Sequence, residues 1–294
     1  MKGSAKTFRV FVSSTFSDLK AERDALQARV FPRLRDLCER HGARFQAIDL
    51  RWGVSQQASQ DQQTMNICLR EIDRCQEVTP RPNFIVLLGD RYGWCPPPPQ
   101  IPADEFKSIL SAVSKEERKL LVWVEESQPS GGDMEMVRWD SEGDAFVGDR
   151  GWYRRDENAV PPEYVLQPWE GYSYEAWGEI EAKLQEVLER GAKSAGLSEE
   201  AQFKYGSSAT HQEIAAGALS PKAEPEHVFA FFREIDGLPQ NDEAEGFLDL
   251  VGEEDGKKAD PLAGEKQEAL KEELRSELGD NVEEYEARWT KGIL

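Results

Sequence analysis

The chain has 294 residues, with 36 Lys and Arg against 56 Asp and Glu and a formal net charge of −20. A surplus of that size repels a phosphate backbone, so direct nucleic-acid binding is not expected, although a local basic pocket can still take a small anionic ligand. The charge is uneven: Met1 to Cys95 holds 15 of the basic and 11 of the acidic residues, which leaves 21 against 45 for everything after it. With 39% hydrophobic and 31% charged residues the composition is that of an ordinary globular protein. The length suits one large α/β domain with an insertion or two small domains.

No apolar run approaches the roughly 18 residues of a membrane span, and no signal sequence precedes Phe8. The expectation is a soluble, cytoplasmic, reduced protein with no membrane contact. Cys38, Cys68, Cys75 and Cys95 show no CxxC spacing and there are only three histidines, so no metal site is read. Cys38 and Cys68 sit in apolar helical contexts and read as small core residues.

In chain order, Phe8 to Val12 is apolar and β-branched, as a buried central strand should be, and Ser13-Ser14-Thr15 ends it. Ser17-Asp18 then opens a helix with Leu19, Leu26, Val30, Leu34 and Leu37 at helical spacing, and Pro32 implies a kink or break. Ala43 to Leu50 is a second strand. Ser55 to Gln63 is a loop or helix entry, and Met65 to Glu77 is a helix with Ile67, Cys68, Ile72 and Cys75 inward. Phe84 to Leu88 is a third strand, closed by Gly89-Asp90-Arg91-Tyr92-Gly93-Trp94. This β-α-β-α-β order predicts a doubly wound parallel sheet. Pro96 to Pro99 reads as a stiff spacer, and an insertion over 96–206 follows. Within it Ala103 to Leu121 reads as one helix, Gly151 to Pro168 as an irregular clamp, and Ser173 caps a helix to about Ala192. The sheet pattern resumes with a helix at Ser207-Ser208-Ala209-Thr210-His211-Gln212-Glu213 and a strand at His227 to Phe232. Ile235 to Asp260 is acidic, Gly-rich loop, Leu262 to Leu278 is helical, and Val282 to Trp289 is an edge strand.

KTFRVFVSSTFSDLKAERDAL, FIVLLGDRYGW, GWYRRDENAVPPEY and SSATHQEI followed by HVFAFFRE, taken together, resemble one family. It is the TIR-like domain of formerly unknown function at the amino terminus of NACHT- and WD-repeat-containing STAND proteins, the telomerase-associated-protein type among them. The resemblance covers nearly the whole chain. It implies a flavodoxin-like, doubly wound, five-stranded parallel sheet over 1–294, interrupted by the 96–206 insertion. It also implies cytoplasmic residence, a downstream NTPase and repeat sensor as partners, and homo-oligomerisation on activation in an innate immune or antiviral setting. This chain has no GxxxxGK[ST] loop, and its end after Ile293-Leu294 fits an excised domain.

TIR domains divide into NAD-cleaving enzymes and non-catalytic adaptors, and the enzymes carry an S-x-W-C-x-x-E motif. Trp94-Cys95 matches superficially, but Pro98 stands in the glutamate's place. With residues 96–206 treated as inserted, Glu213 takes that place, directly before the next strand. Breaking a nicotinamide–ribose bond develops positive charge that a carboxylate can stabilise or trap, so Glu213 is the candidate catalytic residue, NAD the candidate substrate, and no cofactor is expected. Thr210-x-x-Glu213 equally fits a capping box. Ser13, Ser14 and Thr15 either meet a phosphate at a helix amino terminus or merely cap that helix. Phe16, Trp52, Tyr92 and Trp94 are candidates for stacking on a base, against a core or rim role. Arg51 and Arg91 are candidates for a pyrophosphate, against ion pairs with Asp49 or Asp90. His211 is a proton shuttle or a solvated histidine. The Trp-rich insertion either lids the crevice, binds a partner or is structural. Three functions follow: a nucleotide N-glycoside hydrolase, a non-catalytic oligomerisation or adaptor module, and a nucleoside-transferase-like enzyme.

Overall fold

A computed structural model describes residues 6–50, 59–79, 81–123, 138–139, 145–146, 151–220, 223–252 and 256–290. The chain divides into two compact units, one of Met1–Val54, Asn66–Trp94 and Ser208–Leu294, the other of Ser55–Met65 and Cys95–Ser207.

The first unit is built on five strands: β1 (Thr7–Ser13), β2 (Arg44–Ile48), β3 (Phe84–Leu88), β4 (Val228–Asp236) and β5 (Val282–Arg288). They lie in the order β5-β4-β3-β1-β2 with every neighbouring pair parallel. This is the flavodoxin-like arrangement, and its order reverses between β1 and β3, so the crevice outside their carboxyl ends is where a ligand is expected. Both faces are covered at the centre of the sheet, which is why β3 reads as a continuous apolar run, while the edge strands β2 and β5 do not. Phe11, Phe84, Val86, Leu88, Val228 and Ala230 pack on one side with Cys68, Ile72 and Cys75 of α3 (Thr64–Val78) and Ile214 of α4 (Ala209–Gly217). Leu270 and Leu274 of α5 (Pro261–Leu278) complete that layer. Val12 and Leu87, one residue out of phase, face Leu19 and Phe31 on the other side.

The first helical segment departs from a simple kink. It runs as α1 (Lys20–Ala25), a π-helical turn over Leu26–Val30, and α2 (Phe31–Arg40), with Pro32 in the first turn of α2, directly after the π-helical turn. Ser17 and Asp18 do not cap it. Leu19 stands at the N-cap with no side-chain bond, because Asp18 is engaged elsewhere. Cys38 is half-buried, not a core residue. Gly217 shows a sequence constraint of another kind: a Cβ there would lie 2.2 Å from Cε2 of Phe84, whose ring stacks on Phe11.

The second unit has its own core. Gln100–Pro102, Glu163–Leu166 and Tyr153–Asp156 form a three-stranded antiparallel sheet, so the stretch expected to be an irregular clamp is a regular hairpin. Pro161 and Pro162 lie in the turn, outside the paired residues. The expected single helix over Ala103 to Leu121 is two, Ala103–Ala112 and Lys115–Leu121, because Ser114 starts the second with a capping box to Glu117. Phe106, Tyr153, Tyr164, Trp152, Trp169 and Trp177 are buried together, with Phe106 and Tyr164 stacked at 4.2 Å.

Candidate functional site

The carboxyl end of β1 delivers Ser13, Ser14 and Thr15 into the sheet unit, all three buried. Ser13 Oγ donates to Glu213 Oε2 at 2.6 Å. Glu213 projects from α4, whose start is fixed by Ser208: its hydroxyl accepts from His211 N at 3.2 Å. Thr210 is therefore not the N-cap, and the capping box expected for Thr210 and Glu213 does not form. Glu213 lies two residues too deep in the helix and turns to β1. Burial pushes its pKa up, against the pull of hydrogen bonds from Ser13 and the Cys68 thiol and of the Arg23 charge. The Cys68 thiol is itself pushed well up, by burial first and by the neighbouring carboxyl second, so it serves as a donor rather than a nucleophile.

Beside this pair, Arg23 is 2% exposed. Its Nε donates to Ser14 Oγ at 2.5 Å and its Nη2 to Ser14 O at 3.0 Å, and Nη1 pairs with the buried Asp49. Sequence reasoning missed Arg23, although the signal was present: it falls on the Leu19–Leu26 stripe, where a charge needs a partner. A second buried cluster adjoins the first. Thr15 Oγ1 donates to Asp18 Oδ1 at 2.5 Å, and Arg233 Nη1 donates to Asp18 O at 2.6 Å and Glu22 Oε1 at 2.8 Å. Burial pushes the Asp18 carboxyl up to about 6 despite Thr15 and Arg233. The three hydroxyls thus bond within the fold, and none caps α1.

The other candidates fall into four groups. Tyr92 is buried, its hydroxyl paired with His211 Nδ1 at 2.8 Å, and burial together with the Lys266 charge brings His211 down to about 4. His211 is accordingly a neutral, half-buried residue rather than a solvated one. Phe16 and Trp94 are 58% and 45% exposed, and the Arg23 guanidinium lies 5.2 Å from the Phe16 ring. Arg51 and Trp52 lie outside the described residues. Of the ion pairs considered, that of Arg51 falls outside the described residues with Arg51 itself, and Arg91 takes Asp249 at 3.3 Å rather than Asp90. Ala209 N donates to Trp94 O at 2.8 Å, so α4 begins against the loop that closes β3. A groove of about 660 Å³, lined by Asp90, Arg233, Lys271, Arg275 and Tyr285 among others, contains none of the predicted site residues.

Residues 9–142 match the family described as "Domain of unknown function (DUF4062)". This stretch is a DUF4062 domain. The chain carrying it is 33% identical over 224 residues to "NACHT domain- and WD repeat-containing protein 1" of Mus musculus, across 75% of this chain and 12% of that protein. It is 33% identical over 168 residues to "NACHT and WD repeat domain-containing protein 2" of Mus musculus, across 56% of this chain and 8% of that protein. To "Telomerase protein component 1" of Mus musculus it is 33% identical over 132 residues, across 42% and 5%. The chain therefore spans between 5% and 12% of the length of these relatives. No solved structure matches it. Among the described residues no helix is long and apolar enough to cross a membrane.

Proposed function

We propose that this DUF4062 chain is the TIR-like effector domain of a cytoplasmic sensor protein of the NACHT and WD-repeat type. It cleaves NAD or a related nucleotide at its N-glycosidic bond through Glu213 and self-associates on activation. The observation that carries the reading is the Ser13–Glu213 pair: a carboxyl held at the carboxyl end of the central strand, beside the switch point, at a cost in burial that a purely structural helix residue need not bear. In the reaction the C1′–N bond breaks, its electron pair leaves on nicotinamide, and nicotinamide departs neutral. Glu213 meets the ribosyl cation, water adds to it, and one proton is released. Glu213 must be ionised to do this. Burial holds it toward the neutral form, so this reading takes the resting domain as inactive until its crevice opens.

The test is nicotinamide release from NAD by the self-associated chain, with Glu213→Gln alongside. A loss of about a hundredfold or more is expected in the variant, and equal rates in the two proteins would remove Glu213 from the mechanism. A second reading, a non-catalytic oligomerisation module, is favoured by the hydrogen bonds that Ser13 and the Cys68 thiol make to Glu213, which tie the carboxyl into the fold. Absence of turnover in assembled wild-type protein selects it.

A further inference from the structure

The loop that follows β3 turns at Gly93, which has φ +91° and would place a Cβ 2.7 Å from Thr15 Cγ2. Only glycine suits both conditions. The turn aims two successive backbone N–H groups outward, and the Asp249 carboxylate fills the space before them. Tyr92 N donates to Asp249 Oδ2 at 2.7 Å and Gly93 N to the same oxygen at 3.0 Å, while Arg91 Nε donates to Oδ1 at 3.3 Å. One oxygen thus takes two amides and the other a guanidinium, which is how successive backbone N–H groups and an arginine hold a phosphate. Lys266 adds a further positive charge against the Tyr92 ring, its Nζ 5.7 Å from the centroid.

Asp249 arrives on the segment that leaves β4. That segment crosses the carboxyl ends of β1 and β3: the Gly246 carbonyl accepts from Ser17 Oγ at 2.8 Å, and Arg91 also pairs with Ser17. The segment is anchored by the buried Ala244 and by Phe247, packed edge-on against Trp289 at 5.4 Å and under Arg233 at 5.5 Å. Beyond Asp249 it closes with a two-residue antiparallel pair, Leu250–Val251 against Lys258–Ala259.

We infer that the Tyr92–Gly93 amide pair and Arg91 form a binding site for the phosphate group of a nucleotide, and that Asp249 occupies it as a built-in competitor. The amides and the guanidinium sit at the switch-point crevice, where this sheet topology places ligands. An internal carboxylate there lowers the apparent affinity by the fraction of time it is bound, so that phosphate enters when the strap lifts. The inference is independent of whether Glu213 cleaves anything.

The experiment titrates the whole chain with inorganic pyrophosphate by calorimetry and follows the Tyr92 and Gly93 amide resonances. Asp249→Ala is expected to bind about tenfold tighter than wild type or better, with Asp249→Asn between them. Adding Arg91→Ala to Asp249→Ala should remove the gain, and the two amide resonances should move during each titration. Folded Asp249→Ala and Asp249→Asn proteins that bind no tighter than wild type would overturn the inference, as would binding that leaves both amides unmoved. If neither variant folds, the wild-type resonances decide: movement of both amides at saturating pyrophosphate supports the site, and no movement rejects it.

Discussion

Asp18→Asn is expected to stabilise the sheet unit above neutral pH and to leave it unchanged in acid. The Asp18 carboxyl, 2% exposed, is pushed from its ordinary 3.8 up to about 6, by burial before any other cause. At about 1.36 kcal/mol per pH unit, ionising it in the folded chain costs about 3 kcal/mol more than in the unfolded chain. The sign follows from proton counting. Between pH 3.8 and about 6 the folded chain holds a proton that the unfolded chain has released, so stability falls as pH rises through this window. Asparagine mimics the protonated form. Its carbonyl can still accept from Thr15, and the Arg233 bond to the residue 18 backbone carbonyl is untouched. The loss of charge is softened because Arg233 keeps Glu22. Urea unfolding at a series of pH values, followed by backbone circular dichroism, gives the difference between variant and wild type. Carboxylates such as Glu117 and Glu284, held below their usual range by hydrogen bonds, cancel in that difference. A flat difference, or a variant less stable than wild type at pH 7.5, would refute the burial argument and make Asp18–Arg233 a stabilising pair.

Three further substitutions probe how the site is held. Gly217→Ala drives a methyl into the Phe84 ring and through it into Phe11; a loss of about 1–3 kcal/mol is expected, and an unchanged unfolding midpoint would show that the α4–β3 contact is slack. Ser208→Ala removes the cap of α4 and should cost about 1 kcal/mol, while Thr210→Ala costs little. The reverse order would move the helix start and return Glu213 to a capping role.

The sheet was legible because each of its strands announces itself locally. FIVLL reads as an unbroken apolar run and FRVFV as one interrupted only by Arg9, while VEEYEAR carries its charges at the edge, as a half-covered strand should. The helix break at Leu26–Val30 was legible only as a proline. A π-turn has no sequence mark apart from the misfit it relieves. The hairpin of the second unit was hidden by its own turn, since prolines and charges between Asp156 and Glu163 mask two four-residue strands.

The site obeys a different rule. Ser13 and Glu213 could each be singled out from a local setting, a strand end and a helix start, but their bond joins residues 200 apart. What decides the chemistry of Glu213 is the company it keeps. Cys68 arrives from α3 and Arg23 from α1, and neither shows any sign in the sequence of facing it. The same blindness misplaced the cap. Ser207, Ser208 and Thr210 are all competent N-caps by residue type, and the choice of Ser208 is made by the Ala209 amide, which docks on the carbonyl of Trp94 and sets where the first turn begins. A start two residues later would have spent the Glu213 carboxyl on its own backbone. The register of α4, imposed by the loop after β3, is what turns that carboxyl inward to the end of β1.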